Sequence, residues 1–364
     1  MTIAAPAVAG ASHGLATARE PLRSRRLLAG WLFLLAGMIF VMVGLGGATR
    51  LTGSGLSIMR WAPLTGALPP LNHADWERLY ALYQRIPQYA LEHRGFGLAG
   101  FEGIFWLEWV HRLWGRLIGL AVIVPLVIFW WQGRISRWLG ARLLLFFVLG
   151  GVQGLVGWLM VSSGFRPDST AVAAPWLVFH LVFALALYAA ILWTALVLIA
   201  PDPPRLRGAR PLFRLTSAAC ILVAFTIAAG GLTAGTHAGF VYNTFPLMEG
   251  HLVPGNYARL QPFLANITRN TAAVQFDHRL LATLTLLVTV SAALIALAQR
   301  HRLTRAVKLA FAALALVVLL QYALGVATLL LVVPLPLGVA HQLNATLLLT
   351  ASLVALSTLR GRTA

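Results

Sequence analysis

Glu108-Trp109-Val110-His111-Arg112 puts a carboxylate, an imidazole and a guanidinium at the mouth of an apolar run, Leu113 to Trp131. The carboxylate can carry a proton, the imidazole can ligate a metal, and the guanidinium can pair with an anion. Ionisable side chains are costly inside a bilayer, about 2.5–3.5 kcal/mol at a helix centre, so such a cluster marks a functional site. Glu108 and His111 are three residues apart and share one face of a helix.

Three more histidines, His180, His278 and His341, also lie in apolar runs. The other six, His13, His73, His93, His237, His251 and His301, fall in tails or loops and read as solvated side chains. Paired histidines on facing helices of a four-helix bundle hold a heme through both axial positions. The residue four positions on from each is small, Gly115, Ala184, Ala282 and Ala345, which leaves room for a flat macrocycle against the helix. Arg112 and Arg279, next to two of the histidines, are candidate partners for propionate groups. For any single intramembrane histidine the alternative is a hydrogen bond to a neighbouring helix. No Cys-x-x-Cys-His is present, so a heme here is not thioether-linked; the single cysteine, Cys220, allows neither an intramolecular disulfide nor a cysteine metal site.

The elements that must position these residues are membrane helices. Of 364 residues 59% are hydrophobic and only 10% charged, which excludes an ordinary soluble protein and implies an all-α integral membrane protein. The net charge of +18 is dispersed in short clusters between apolar runs and forms no basic stripe, so nucleic acid is not an expected partner and the lipid bilayer is. Eight apolar runs centre near residues 38, 117, 152, 188, 225, 285, 319 and 348. Each is about 20 residues, the length that crosses roughly 30 Å of hydrocarbon. With the N-terminus in the cytoplasm, that side holds 17 of the 28 basic residues and the opposite loops hold eight. Both termini are therefore expected in the cytoplasm, with long loops over about 48–103 and 236–270 facing outward. Residues 1–27 read as a cytoplasmic tail, and a mitochondrial transit segment is the alternative.

An internal repeat organises the spans. Gly46-Gly47-Ala48-Thr49, Gly55, Pro63 and Gly66 are echoed by Gly230-Gly231-Leu232-Thr233, Gly239, Pro246 and Gly250. His111-Arg112 recurs as His278-Arg279, and Gln153 with Gly157 recurs as Gln321 with Gly325. The expected architecture is two tandem, pseudo-symmetric four-helix bundles, 28–200 and 215–358, joined by a cytoplasmic linker at 201–214 and followed by a cytoplasmic tail at 359–364. Each histidine is expected a few residues after its helix begins, which places all four near the outer face. The halves differ at one telling position: Glu108 of the first is Gln275 in the second. That difference suggests chemistry in one half and a bound cofactor, for electron transfer or structure, in the other. Glu108 would carry a proton or position a substrate group near the metal; a salt bridge with Arg112 at helical spacing is the alternative.

Three stretches together resemble the heme A synthase family: Glu108-Trp-Val-His111-Arg112-Leu-Trp-Gly115-Arg116, Gly46-Gly-Ala-Thr-Arg-Leu-Thr-Gly-Ser-Gly-Leu-Ser57 and Tyr242-Asn-Thr-Phe-Pro-Leu-Met248. The likeness runs from about residue 28 to 358. It implies an eight-helix oxidoreductase that converts a ring methyl of heme O to the formyl group of heme A by successive hydroxylations, for use by terminal oxidases. It further implies that His278 and His341 ligate a heme b, that His111 and His180 hold the substrate heme, and that Glu108 is the essential carboxylate. Some members carry a cysteine pair in the first outer loop; this chain has none there, so it resembles the branch shared by proteobacteria and mitochondria. Implied partners are heme O, the heme O synthase that supplies it and an electron donor of unspecified identity. The long loops and apolar helices also offer surface for a homo-oligomer. The implied location is a bacterial inner membrane, with the mitochondrial inner membrane as the alternative.

Two other functions fit parts of this pattern. A diheme b-type membrane cytochrome needs the four histidines and gives Glu108 no special role. A transporter also uses duplicated halves, but it predicts ionisable groups near the bilayer centre. The loop from Leu68 to Glu102, with Trp76, Tyr80, Tyr83 and Tyr89, reads as an amphipathic cover over the site or as aromatic-belt residues.

Overall fold

The computed structural model describes residues 22–63, 65–200 and 209–360. Much of the expected N-terminal tail, residues 201–208 of the linker and the last four residues lie outside these. The described residues are 78% helical, with no strands among them. Eight helices are long and apolar enough to cross a membrane: α1 (Leu22–Leu51), α4 (Gly97–Trp131), α5 (Arg137–Ser162), α6 (Ala174–Ile199), α7 (Arg210–Gly235), α9 (Thr271–Ala298), α10 (Arg305–Leu330) and α11 (Leu335–Thr358). Three shorter helices, α2 (His73–Tyr83), α3 (Pro87–Leu91) and α8 (Ala265–Arg269), lie in the long loops between α1 and α4 and between α7 and α9.

Local sequence explains where the spans begin. Proline occupies the first turn of α6, α7 and α11, where its missing N–H costs nothing. Thr304 caps α10 by accepting from the Val307 amide, and Asn270 caps α9 by accepting from the Ala272 amide. The chain is apolar on all sides of these helices because lipid or protein surrounds them and every backbone group must be satisfied within the helix.

Two rings of four helices result. In one, α1 packs on α4 and α6, and α5 closes the ring between α4 and α6; in the other, α7 packs on α9 and α11, and α10 closes it between α9 and α11. The rings meet where α6 touches α7 and α11, and where α1 touches α11. Small residues line this seam: a Cβ at Gly44 would lie 3.2 Å from Leu343, and one at Gly235 would lie 2.6 Å from the Cβ of Ala174. Apolar burial supplies no drive between helices in lipid, so close backbone approach and scattered polar contacts hold them. Trp114 Nε1 donates to the Met38 carbonyl and Trp31 Nε1 to the Ala121 carbonyl between α4 and α1. Across the seam, the hydroxyls of Tyr188 and Thr350 are 2.6 Å apart.

One expectation needs correcting. His180, His278 and His341 do come within two turns of their helix starts, but His111 lies 14 residues into α4. The reason is that α4 has 35 residues, about 52 Å at 1.5 Å per residue, and its first turns exceed the length that a span of roughly 30 Å needs. They are stabilised there by packing: Phe101 and Phe105 are buried against Trp76, Tyr80, Tyr83 and Tyr89 of α2 and α3. Trp76 stands edge-on to Phe105 with ring centroids 4.9 Å apart, and Tyr83 is 5.3 Å from Phe101. The first outer loop is thus shorter than 48–103 and partly helical.

Candidate functional site

Glu108 is buried to 3% exposure, and its carboxylate is fully engaged. Oε1 accepts from Arg112 Nε at 3.0 Å and Nη2 at 2.5 Å, while Oε2 accepts from the Ser57 hydroxyl at 2.6 Å and the Ile58 amide at 2.8 Å. The i, i+4 spacing on α4 supplies the arginine, and the turn after α1 supplies the other two donors. Arg112 also donates to the carbonyls of Ile58 and Arg60, so the pair anchors residues 57–60 on α4.

The second half repeats the frame with reversed polarity. Gln275 donates through Nε2 to the carbonyls of Ala238 and Val241, and Arg279 donates to the carbonyls of Tyr242 and Thr244 and to Gln275 Oε1. The loop offers donors to a carboxylate in one half and acceptors to an amide in the other. Both arginines read from the sequence as propionate partners therefore hold loop carbonyls. The Arg279 Nε remains buried with no hydrogen bond.

All four intramembrane histidines stand in one setting. A Cβ at Gly46 would lie 3.2 Å from His111 Cε1, at Gly157 2.9 Å from His180, at Gly230 3.0 Å from His278 and at Gly325 2.9 Å from His341. The small residue that matters for each ring thus sits on a neighbouring helix; Gly115 faces Met42 instead. These glycines are the repeated ones, so the repeat carried the signal, although the sequence reading used it only as a sign of duplication. The glutamines of the repeat belong here too: Gln153 Nε2 lies 3.1 Å from His180 Nδ1, and Gln321 Nε2 lies 3.2 Å from His341 Nδ1. The Nδ1 atoms of His111 and His278 are buried without a hydrogen bond.

His278 and His341 face each other with ring centroids 6.4 Å apart and planes at 85°. Two iron–nitrogen bonds of about 2 Å end to end, plus about 1.1 Å from each nitrogen to its ring centre, span about 6 Å. The spacing therefore suits one iron held between two axial imidazoles, and the glycine-backed rings leave space beside them. No group of three or more His, Cys, Asp or Glu side chains is placed to hold a bare metal ion among the described residues.

The family model that matches residues 29–353 is COX15-CtaA, described as cytochrome oxidase assembly protein. This chain belongs to that family. Among its relatives is the heme A synthase of Granulibacter bethesdensis, 56% identical over 357 residues, covering 98% of this chain and 94% of that protein. Heme A synthase 2 of Acidiphilium cryptum is 48% identical over 359 residues, 96% of each chain, and the heme A synthase of Methylobacterium radiotolerans is 47% identical over 339 residues, 91% of this chain and 89% of that one. For a member of the COX15-CtaA family, the glycine contacts yield a direct expectation. Gly325→Ala pushes a methyl group to 2.9 Å from the His341 ring, whereas nothing lies within 4 Å of a Cβ at Gly154. Gly325→Ala should lose most of its bound heme and about 1–3 kcal/mol of stability, as overpacking does. Gly154→Ala should keep both; the heme-to-protein ratio after purification reads the difference.

Proposed function

We propose that the protein is a heme A synthase that oxidises a ring methyl of heme O to a formyl group by successive hydroxylations, supplying heme A to terminal oxidases. The observation that carries this reading is the unequal setting of two otherwise matched histidine pairs. All four rings rest on a glycine, but only His111 has a buried carboxylate on its own helix face, where the other half has Gln275. The names of the relatives support the same reading. His278 and His341 would hold a heme b, in a C-terminal half over 215–358. His111 and His180 hold the heme O substrate, in an N-terminal half over 28–200.

When bound, heme iron supplies the redox chemistry. The chain's own residues position and protonate. Gly46 and Gly157 leave the His111 and His180 rings free of steric pressure from neighbouring helices, and Gln153 orients His180. Glu108, paired with Arg112, is the group that exchanges a proton, and the Ser57 hydroxyl that donates to it is the neighbour through which that proton is relayed. Ile58, Met59 and Trp109 join the aromatic cluster on α4, which keeps water from this carboxylate. Beyond the bonds to Glu108, Gln275 and the loop carbonyls, Arg112 keeps one Nη1 hydrogen and Arg279 keeps its Nε and one Nη1 hydrogen, and these would meet the propionates. The protein sits in a bacterial inner membrane with both termini in the cytoplasm, receives heme O from its synthase, and draws on an external electron donor.

The full engagement of Glu108 favours one second reading, a diheme b-type cytochrome in which Glu108 only clamps the loop. Expression with a source of heme O, in cells that make no heme A of their own, separates the two. Extracted hemes identified by chromatography and mass should include heme A or its hydroxylated precursor. Heme b alone, beside unconverted heme O, would overturn the enzyme in favour of the cytochrome.

A further inference from the structure

Adjacent glycines join the two histidine pairs at two places. On α1, Gly46 backs the His111 ring and Gly47 faces the other half, where a Cβ would lie 2.5 Å from Gln342 Oε1. Gln342 directly follows His341 on α11, and its Nε2 donates to the Val43 carbonyl of α1 at 3.1 Å. On α7, Gly230 backs the His278 ring, and Gly231 faces Val178 and Leu181 of α6, with Leu181 directly following His180. Each crossing runs from a histidine ring, past two consecutive glycines, to the neighbour of a histidine in the other half. Their chemistry differs: one crosses through a hydrogen-bonded amide and the other through branched apolar carbons. Leu181 demonstrates that a leucine meets the packing need beside such a glycine. A half-buried amide between membrane helices, by contrast, is stabilised by a partner, and Gln342 finds one on the helix of the opposite half.

We propose that Gln342 is the positioning residue through which an electron crosses between the two hemes. This rests on the reading above, that each histidine pair holds one heme. The path follows the covalent bonds from His341 to Gln342, then the Gln342 Nε2–H bond to the Val43 carbonyl. In a regular helix that carbonyl also accepts from the Gly47 amide, next to Gly46, from which the last step to the His111 ring is through space, a Cβ at Gly46 lying 3.2 Å from His111 Cε1. One electron leaves a ferrous iron between His278 and His341, which becomes ferric, and reaches a ferric iron between His111 and His180, which becomes ferrous. No bond breaks at Gln342 and no proton moves there.

The test uses the purified full-length protein loaded with heme b and with heme A, whose formyl group separates its absorption from that of heme b. An electron is injected by pulse radiolysis and its redistribution followed at the two bands. Gln342→Leu should slow equilibration severalfold while both spectra and both midpoint potentials stay in place. Gly47→Ala, which displaces the Gln342 amide from the opposite helix, should do the same, and Leu181→Ala should leave the rate unchanged. An unchanged rate in Gln342→Leu with both hemes bound overturns the route, as does equal slowing in Leu181→Ala, which would indicate packing alone. If the unsubstituted protein takes up heme b but no second heme, it is the proposed function that fails, and the route with it.

Discussion

Glu108→Gln should abolish formation of heme A while both hemes remain bound. The substitution keeps the side chain's size and introduces the residue that stands at 275 in the other half, so the helix and its loop have a precedent for an amide there. The hydrogen bonds, however, are of the wrong sense. Ser57 and Ile58 both donate to Glu108, and Arg112 donates twice more. An amide offers one accepting oxygen to these donors and turns its own N–H groups toward others. Ser57 can redirect its hydroxyl to the Ile104 carbonyl, 3.5 Å away, and Arg112 keeps the carbonyls of Ile58 and Arg60, which limits the structural loss to about 2 kcal/mol. The proton-carrying group is gone altogether, and removal of a general acid–base typically costs about 10²–10⁴-fold in rate. Heme extraction from cells supplied with heme O measures the product, and absorbance of the purified variant measures retention. Heme A at near-normal yield would make Glu108 a clamp and sink its catalytic role.

His278→Ala is the second variant with a large expected effect, and His111→Ala is its counterpart. Removing His278 takes one of two axial imidazoles from the pair at 6.4 Å and leaves His341 alone against Gly325. The b-type absorption should fall to background and product formation with it, because the other half then lacks its electron source. His111→Ala should lose product as completely but keep the heme b spectrum. Persistence of a normal b-type band in His278→Ala would overturn the assignment of ligands to the C-terminal half.

The histidines, the carboxylate and the eight spans were legible because hydrophobic runs of membrane length are strong signals and ionisable residues within them are rare. The duplication sharpened this by repeating His111-Arg112 as His278-Arg279. Less legible was what each neighbour touches. A helix presents Gly115 one turn from His111 in any local reading, yet the glycine that meets the ring is Gly46, on another helix and 65 residues away in sequence. Arg112 was readable as a partner of either Glu108 or a propionate; the outcome depended on where the turn at 57–60 would place its carbonyls, which no spacing encodes. The outward extension of α4 was hidden for a similar reason. Its first turns are helical because the aromatic rings of α2 and α3 cover Phe101 and Phe105, and that is a tertiary effect.

The seam between α1 and α11 joins the first spanning helix to the last, and it bears on how the protein is made. The hydrogen bond from Gln342 to Val43 spans 299 positions of sequence, and at typical synthesis rates of about 5–20 residues per second the wait between the two ends is roughly 15–60 s. Through that interval Gly44 and Gly47 present a bare groove to lipid, available to any other helix newly released nearby. A nascent chain that stalls before residue 335 leaves that groove on α1 unfilled.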